Sequence, residues 1–280
     1  MLQKLTNRVY YLPASHETDR PVLGVITGDT HTLLLDAGNS SDHARLLLDE
    51  LARLNIPTPS LVVLTHWHWD HIFGLSHFNA PSISHKKTKS YIEELKDLSW
   101  TDEELDKRVQ QGKEIEFCAE MIKKEFASKE RDIEITTPTM TFETKSEIDL
   151  GNVTCIVEHM AGDHADDSSI LYVKEEKVLF LGDALYPNIY ASKRHYVPDT
   201  FLQLLDRIEA YDADILIESH GVPIKRKSFF FEMDQYRTMA ESAKQHTGDM
   251  DAMTQELTQT FQRNLTTGDV EMIQYFVDGL

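Results

Sequence analysis

The chain has 280 residues, of which 41% are hydrophobic and 27% are charged. This length and composition are typical of one large globular domain with an extensive hydrophobic core. Its 47 acidic and 28 basic residues give a formal net charge of −19, so DNA or RNA would be repelled over most of the surface. No apolar stretch approaches the ~18 residues that a membrane span requires. We therefore expect a single domain, residues 1–280, that binds neither nucleic acid nor a membrane.

The cysteines and the amino-terminal segment bear on the cellular compartment. Cys118 and Cys155 are too few for a disulfide framework and do not have the spacing of a zinc knuckle. We expect both to be reduced and buried. Residues 1–15 contain no apolar segment of the kind that a secretory signal requires. Together these features predict a cytoplasmic protein.

Strand and helix patterns alternate in the first part of the chain. Short apolar runs predict four strands, at residues 8–12, 22–27, 31–36 and 60–65. The apolar periodicity of residues 42–54, preceded by the capping residues Ser40 and Ser41, predicts a helix that ends before Pro57. The resulting strand–helix–strand unit, from Leu33 to Thr65, places a polar cluster directly after its second strand. Open α/β sheets commonly carry their functional residues at that edge.

Residues 86–137 differ from the rest of the chain because charged side chains of both signs dominate them. The sequence from Thr101 to Glu104 is a capping box. It predicts a helix that runs towards Phe126. Since this segment emerges near the polar cluster, we predict that residues 86–137 are a helical insertion that forms a mobile cap over that edge of the sheet.

Strand patterns return after the insertion. Apolar runs predict strands within residues 147–160, 168–173, 177–183 and 214–221. Turns are predicted at Gly151-Asn152 and Glu175-Glu176. A helix is expected from about Thr200 to Tyr211, and residues 228–280 are predicted to form two or three helices at the carboxyl end.

The polar cluster after the strand at residues 60–65 has the spacing of a metal-binding motif. His66, His68, Asp70 and His71 form the pattern H-x-H-x-D-H, and imidazole and carboxylate groups are typical ligands of zinc and similar ions. Side chains two apart point the same way in an extended segment, so His66 and His68 can bind one ion. Asp70 and His71, past a bend in the loop, can then reach a second ion.

Further candidate ligands directly follow other predicted strands. These are His164, Asp183 and His220. Because strand-end loops gather at one edge of a sheet, all seven side chains are expected to converge. The sequence therefore predicts a site for two metal ions at that edge.

This set of motifs resembles the metallo-β-lactamase-fold hydrolase superfamily, over roughly Leu2 to Pro223. The resemblance implies an α/β fold, a four-layer αββα sandwich, to which this chain adds the helical insertion and the helical carboxyl-terminal tail. It implies that one ion is held by His66, His68 and His164, and the other by Asp70, His71 and His220. Asp183 would bridge the two ions, and Asp36 would support the metal loop from behind.

Metal chemistry by itself favours hydrolysis. Two divalent ions, two aspartates and a bridging hydroxide would carry a charge of about +1, which stabilises negative charge that develops during a reaction. The pKa of a metal-coordinated water falls to ~7, so a hydroxide nucleophile is available at neutral pH. We expect zinc, with manganese, iron or cobalt as alternatives. The predicted function is hydrolysis of a small molecule, with Asp70, Asp183 and Tyr186 as the catalytic residues.

Details of the motifs narrow the reaction. His68 occupies a position where flavin-linked oxygen reductases of the superfamily carry an acidic residue, and Asp183 occupies the position of a cysteine in the most familiar zinc β-lactamases. The chain is most similar to the lactonase and glyoxalase-II-like branches. In lactonases a tyrosine lies three positions after the bridging aspartate, and Tyr186 lies there in this chain. Its hydroxyl could donate to a substrate carbonyl, or its ring could simply pack beside Pro187.

We therefore predict cleavage of an ester, lactone or thioester bond. The alternatives are a phosphodiesterase or β-lactam hydrolase of the same fold, and a non-catalytic metal-binding protein. His159 and His195 are candidates for lining the rim and the substrate loop. The three adjacent rings of Phe229–Phe231 cannot all face the core from one helix. An interface in a homo-oligomer, which would cover the remaining ring, is therefore an open alternative.

Overall fold

The computed structural model describes residues 1–127 and 131–280. One sheet consists, in spatial order, of β1 (Gln3–Lys4), β2 (Val9–Leu12), β3 (Leu23–Thr27), β4 (Thr32–Leu35), β5 (Leu61–Val63), β6 (Ser82–His85) and β7 (Met140–Phe142). The second sheet contains, also in spatial order, β8 (Lys145–Asp149), β9 (Thr154–His159), β10 (Ser169–Val173), β11 (Val178–Gly182), β12 (Ile215–Glu218) and β13 (Ile224–Lys225).

The helices lie outside these sheets or in the loops at their edges. They are α1 (Ser41–Arg53), α2 (Trp69–Ile72), α3 (Lys86–Leu95), α4 (Asp102–Gln110), α5 (Glu116–Glu125), α6 (Pro198–Glu209), α7 (Arg226–Gln245), α8 (Met250–Phe261) and α9 (Thr267–Asp278). Among the described residues, no helix is both long enough and apolar enough to cross a lipid bilayer.

Alternation along the strands divides the core into layers. In β4, Leu33 packs into the cluster between the two sheets, whereas Leu34 packs into the cluster that contains Leu47 of α1. In β11, Phe180 packs between the sheets, whereas Leu179 faces the cluster built by α6 and the carboxyl-terminal helices. This period of two gives each sheet two buried faces. The predicted four-layer αββα sandwich with a helical tail is confirmed.

Two parallel strand pairs determine where the functional loops emerge. Helix α1 connects β4 to the parallel strand β5, and α6 connects β11 to the parallel strand β12. Parallel neighbours end at the same edge of a sheet. The loops after β4 and β5 therefore emerge at one edge of the first sheet, and the loops after β11 and β12 emerge at one edge of the second sheet.

The prediction of one continuous helix from Thr101 towards Phe126 is wrong, because the structure contains two helices in this segment. The Thr101 side chain accepts a hydrogen bond from the Glu104 backbone N–H and begins α4. The helix ends beside Gly112, whose φ of +66° is a left-handed conformation that glycine adopts at little cost. Helix α5 then begins at Glu116. Residues 128–130 of the predicted insertion lie outside the described residues.

The carboxyl-terminal segment forms three helices, α7 to α9. Within the aromatic run on α7, Phe229 is buried, whereas Phe231 is 73% exposed. The two cysteines, Cys118 and Cys155, are buried and free.

Candidate metal centre

The structure brings the seven predicted ligands together at the edge where β5, β11 and β12 end. Their ligand atoms form two groups, and within each group the atoms lie within 4.8 Å of one another. One group is His66, His68 and His164, and the other is Asp70, His71, Asp183 and His220. These residues come from loops 154 positions apart in the sequence, as the strand-end argument predicted.

Asp183 faces both groups. Its Oδ2 atom lies 3.3 Å from His164 Nε2 in the first group. The same atom lies 3.5 Å from His71 Nε2 and 3.5 Å from His220 Nε2 in the second group. A single carboxylate at this position can contact an ion in either group.

The metal loop contains a short helix that the sequence did not indicate. His68 precedes α2 in an extended conformation, and residues 69–72 form a single helical turn. The His71 backbone N–H donates to the His68 carbonyl at 3.0 Å. This turn, rather than a simple bend, directs Asp70 and His71 away from His66 and His68 and so separates the two groups.

Asp36 lies behind the metal loop and holds His71. It follows β4 with a φ of +58° and is 1% exposed. Its Oδ1 accepts from the Thr65 backbone N–H at 2.8 Å, and its Oδ2 lies 2.8 Å from His71 Nδ1. Because a carboxylate can only accept, Nδ1 of His71 carries a proton, and Nε2 is the nitrogen that a bound ion would occupy in place of a proton.

Two ligand atoms have no hydrogen-bond partner among the described residues although they are buried. They are His66 Nε2 and Asp183 Oδ1. An unpaired buried polar atom usually costs about 1–3 kcal/mol, so two converging on one place indicate a missing partner. Imidazole nitrogens and carboxylate oxygens without thiolates suit divalent ions such as zinc or manganese. The residues present therefore fit divalent metal ions.

The electrostatics of the site point in the same direction. Burial alone would lower the pKa of His71, but the carboxylates of Asp70, Asp36 and Asp183 raise it well above its ordinary value. Burial likewise opposes ionisation of Asp183, but His220 and His71 hold its pKa well below the usual range. The Asp183 carboxylate thus remains charged and attracts positive charge into the site.

A cavity of about 330 Å³ opens onto both groups. Besides the ligands it is lined by Tyr186 and by residues that sequence reasoning did not identify, namely Asp19, Phe117, Cys118 and Arg194. The Oδ1 atom of Asp19 lies 3.4 Å from Nδ1 of His220. Burial, followed by the charge of Asp70, raises the pKa of Asp19 to about 7. No motif surrounds Asp19, so no local signal could have predicted its place.

Tyr186 lies beside one ligand of each group, His164 and His220. Its hydroxyl oxygen accepts a hydrogen bond from the His220 backbone N–H at 3.3 Å, and its ring centroid is 6.0 Å from that of His164. Burial, followed by the negative charges of Glu218 and Asp183, raises the pKa of Tyr186 well above its ordinary value. The hydroxyl is therefore protonated at neutral pH and retains a proton to donate.

His159 and His195 belong to neither ligand group. The His159 ring stacks on His85, with centroids 3.8 Å apart, and its Nε2 lies 2.8 Å from the Asp166 carbonyl. His195 lines a neighbouring cavity together with Trp67 and His68.

Comparison with known proteins gives matches over most of the chain. Residues 21–220 match the model of the metallo-beta-lactamase superfamily. The acyl-coenzyme A thioesterase MBLAC2 of Gallus gallus is 27% identical over 180 residues, which are 60% of this chain and 58% of that protein. The protein of the same name from Bos taurus is 28% identical over 145 residues, covering 50% of this chain and 47% of its own length. The chain thus spans about half the length of these relatives.

A linear primary-alkylsulfatase of Pseudomonas sp. is 22% identical over 222 residues, which are 69% of this chain and 40% of that protein. Among solved structures, the sec-alkylsulfatase Pisa1 from Pseudomonas sp. superimposes with a TM-score of 0.64 at 16% identity, covering 99% of this chain and 47% of that chain. A metallo-beta-lactamase from Pontibacter korlensis gives a TM-score of 0.55 at 18% identity, covering 81% of this chain and 94% of that one. At these identities the structural matches establish the fold.

Proposed function

Since the chain belongs to the metallo-beta-lactamase superfamily, we propose that it is a metal-dependent hydrolase. It would use two divalent ions, zinc in the first instance, to cleave an acyl ester, lactone or thioester of a small molecule. The observation that carries this proposal is the convergence of two ligand groups on Asp183 at the floor of one cavity. Seven ligands of this kind exceed the coordination number of a single zinc ion, because zinc sites are usually four-coordinate.

The residues have distinct proposed roles. His66, His68 and His164 would hold one ion, whereas Asp70, His71 and His220 would hold the other, with Asp183 shared. When bound, such ions polarise a carbonyl oxygen and lower the pKa of a coordinated water. Asp36 holds a proton on Nδ1 of His71, so Nε2 is the nitrogen that would bind the ion.

Tyr186 is proposed to stabilise the reacting carbonyl. Tyr186 lines the ligand cavity, and its hydroxyl oxygen accepts a hydrogen bond from the His220 backbone N–H. The hydroxyl proton is therefore free to be donated to an oxygen that becomes negative during attack on an acyl group. A purely packing role for the ring does not require a protonated hydroxyl in the cavity.

The curated relatives named as thioesterases support the acyl branch of this proposal. The linear primary-alkylsulfatase supports a second candidate, hydrolysis of a sulfate ester, because it is 22% identical over 69% of this chain. The side chain that favours this candidate is Arg194, which lines the metal cavity. A guanidinium there can pair with a sulfate group.

We also propose that residues 86–137 cap the cavity, since Phe117 and Cys118 of α5 lie on its wall. Such a cap would gate access and exclude water. Truncation of the Phe117 ring is expected to raise KM without reducing bound metal.

The test is turnover by the metal-loaded chain on a panel of five substrate types. The panel contains an acyl thioester, a lactone, an alkyl sulfate, a phosphodiester and a β-lactam. The proposal expects the highest kcat/KM on an acyl substrate, and loss of that activity on chelation. Preference for the alkyl sulfate would support the second candidate. No turnover on any compound, with metal bound, would instead indicate a non-catalytic metal-binding protein.

A further inference from the structure

A buried carboxylate outside the metal centre, that of Glu125, joins the proposed cap to two loops of the sandwich. Glu125 is the last residue of α5, and its side chain is only 3% exposed. Its two oxygens accept hydrogen bonds from Thr18, Arg20 and Ser40. These donors lie in the loop between β2 and β3 and in the loop after β4. One carboxylate of the cap therefore holds both loops.

Both oxygens of Glu125 accept two hydrogen bonds. Ser40 Oγ donates to Oε1 at 2.5 Å, and Arg20 Nη2 donates to the same atom at 2.6 Å. Thr18 Oγ1 donates to Oε2, and Arg20 Nε donates to that oxygen at 3.2 Å. Asn39 joins the two loops to each other, because its Nδ2 donates to the Thr18 carbonyl at 2.7 Å. The carboxylate is thus the centre of a network that links three segments of the chain.

One of the loops that Glu125 holds carries Asp19 to the metal centre. Thr18 and Arg20 are the chain neighbours of Asp19, so both residues that flank it are bonded to the same carboxylate. Asp19 lines the metal cavity, and its Oδ1 lies 3.4 Å from Nδ1 of His220. Its φ of +58° is a left-handed conformation that is uncommon outside glycine, and such conformations persist where the surroundings hold the backbone. Glu125 provides that hold on both sides of Asp19.

The contact with Asp19 matters because His220 directs its other ring nitrogen at the ligand group. Nε2 of His220 lies 3.2 Å from Asp70 and 3.5 Å from Asp183. Nδ1 is buried and has no hydrogen bond within the part of the chain that the structure describes, so the Asp19 carboxylate at 3.4 Å is placed to orient it. Carboxylates beside the second nitrogen fix the ring orientation of metal-binding histidines. We propose that Glu125 is a positioning residue for the second group of ligands, because it sets the place of Asp19 beside His220.

This inference rests on the proposed binding of two ions but not on which bond is cleaved, so metal affinity is the measurement. Glu125→Gln keeps the size of the side chain, but its amide must face an N–H of Arg20 in either orientation, since Arg20 donates to both oxygens. Elemental analysis at buffered free-metal concentrations should show one of the two binding steps weakened about tenfold, the lower end of the effect of losing a supporting contact. The other step should not change. Glu120→Gln, on the exposed face of the same helix, should change neither.

A second variant separates positioning from general support of the fold. Asp19→Gly removes the carboxylate beside His220, and glycine adopts a φ of +58° at little cost. It should weaken the same binding step as Glu125→Gln. The double variant should bind no more weakly than Asp19→Gly alone, since Glu125 then has no carboxylate to position. A merely structural role of Glu125 would instead add to the loss in the double variant and would lower the affinity for both ions.

Two results would overturn the inference while the proposed metal centre stands. One is unaltered affinity for both ions in a folded Glu125→Gln, and the other is additive losses in the double variant. If Glu125→Gln does not fold, Thr18→Val removes one hydroxyl donor at constant shape and should weaken the same step to a smaller extent; unaltered affinity there would equally refute the assignment. An unaltered protein that binds fewer than two ions would contradict the metal centre itself, and the inference with it.

Discussion

Asp36 offers a test of how the second group of ligands is held. The substitution Asp36→Asn keeps the size of the side chain but replaces one carboxylate oxygen with an amide. The oxygen of the asparagine can still accept from the Thr65 backbone N–H, as Oδ1 does at 2.8 Å. The amide would then lie at the position of Oδ2, 2.8 Å from His71 Nδ1. Two N–H donors would face each other there.

The imidazole can escape this conflict only by moving its proton to Nε2, and that removes the lone pair directed at the ion. Loss of such a supporting hydrogen bond typically weakens metal binding by about 10–100-fold. That range corresponds to roughly 1.4–2.7 kcal/mol, in line with the ~1.5–3 kcal/mol of a hydrogen bond to a charged group. The loss should fall on one ion, because His66, His68 and His164 do not contact Asp36.

Metal content is measured by elemental analysis after equilibration at a series of buffered free-metal concentrations. The unaltered protein should bind about two ions per chain. Asp36→Asn should retain the first ion and lose the second at intermediate concentrations. Asp49→Asn, on the exposed face of α1, makes the same chemical change and serves as the control. If Asp36→Asn binds both ions with unaltered affinity, the hydrogen bond to His71 does not set the ligand's proton, and this reasoning is wrong.

Three further predictions follow from the same site and its surroundings. Asp183→Ala should abolish turnover while the melting temperature of the metal-free protein changes little; retained activity would rule out its shared position. Tyr186→Phe should lower kcat by roughly a hundredfold and leave KM nearly unchanged. This decrease corresponds to the low end of the ~2.7–4 kcal/mol that loss of one oxyanion donor costs. If the variant keeps the wild-type kcat, the Tyr186 ring has only a packing role. Burial lowers the pKa of His43 to about 3, so as the pH falls His43 is protonated in the unfolded chain before it is protonated in the folded one. This difference should lower the free energy of unfolding by about 2 kcal/mol between pH 6.5 and 5.0. Denaturant titrations of His43→Gln at the two pH values should lack this decrease.

Much of the fold and of the ligand set could be predicted because the relevant signals are local. The alternation in β4 and β11 indicates which residues are buried, and a buried strand followed at once by His66 or Asp183 indicates a loop at the sheet edge. The spacing between His66 and His68 likewise depends only on the extended backbone between them. The same local character explains the turn at Gly151-Asn152, whose φ values of 82° and 60° match a left-handed hairpin turn.

Other features depended on which distant segments meet. Asp19 lies in a loop without any motif, yet the packing of that loop places it 3.4 Å from the His220 ring. Glu218 of β12 and Glu232 of α7 line one cavity only because α7 packs against the second sheet. A sequence pattern reports whether a residue is buried on its own strand or helix, since that depends on local periodicity. The pattern does not predict which distant residue will contact it. That contact depends on how whole layers of the fold pack together, and neither of the two sequence segments determines this packing by itself.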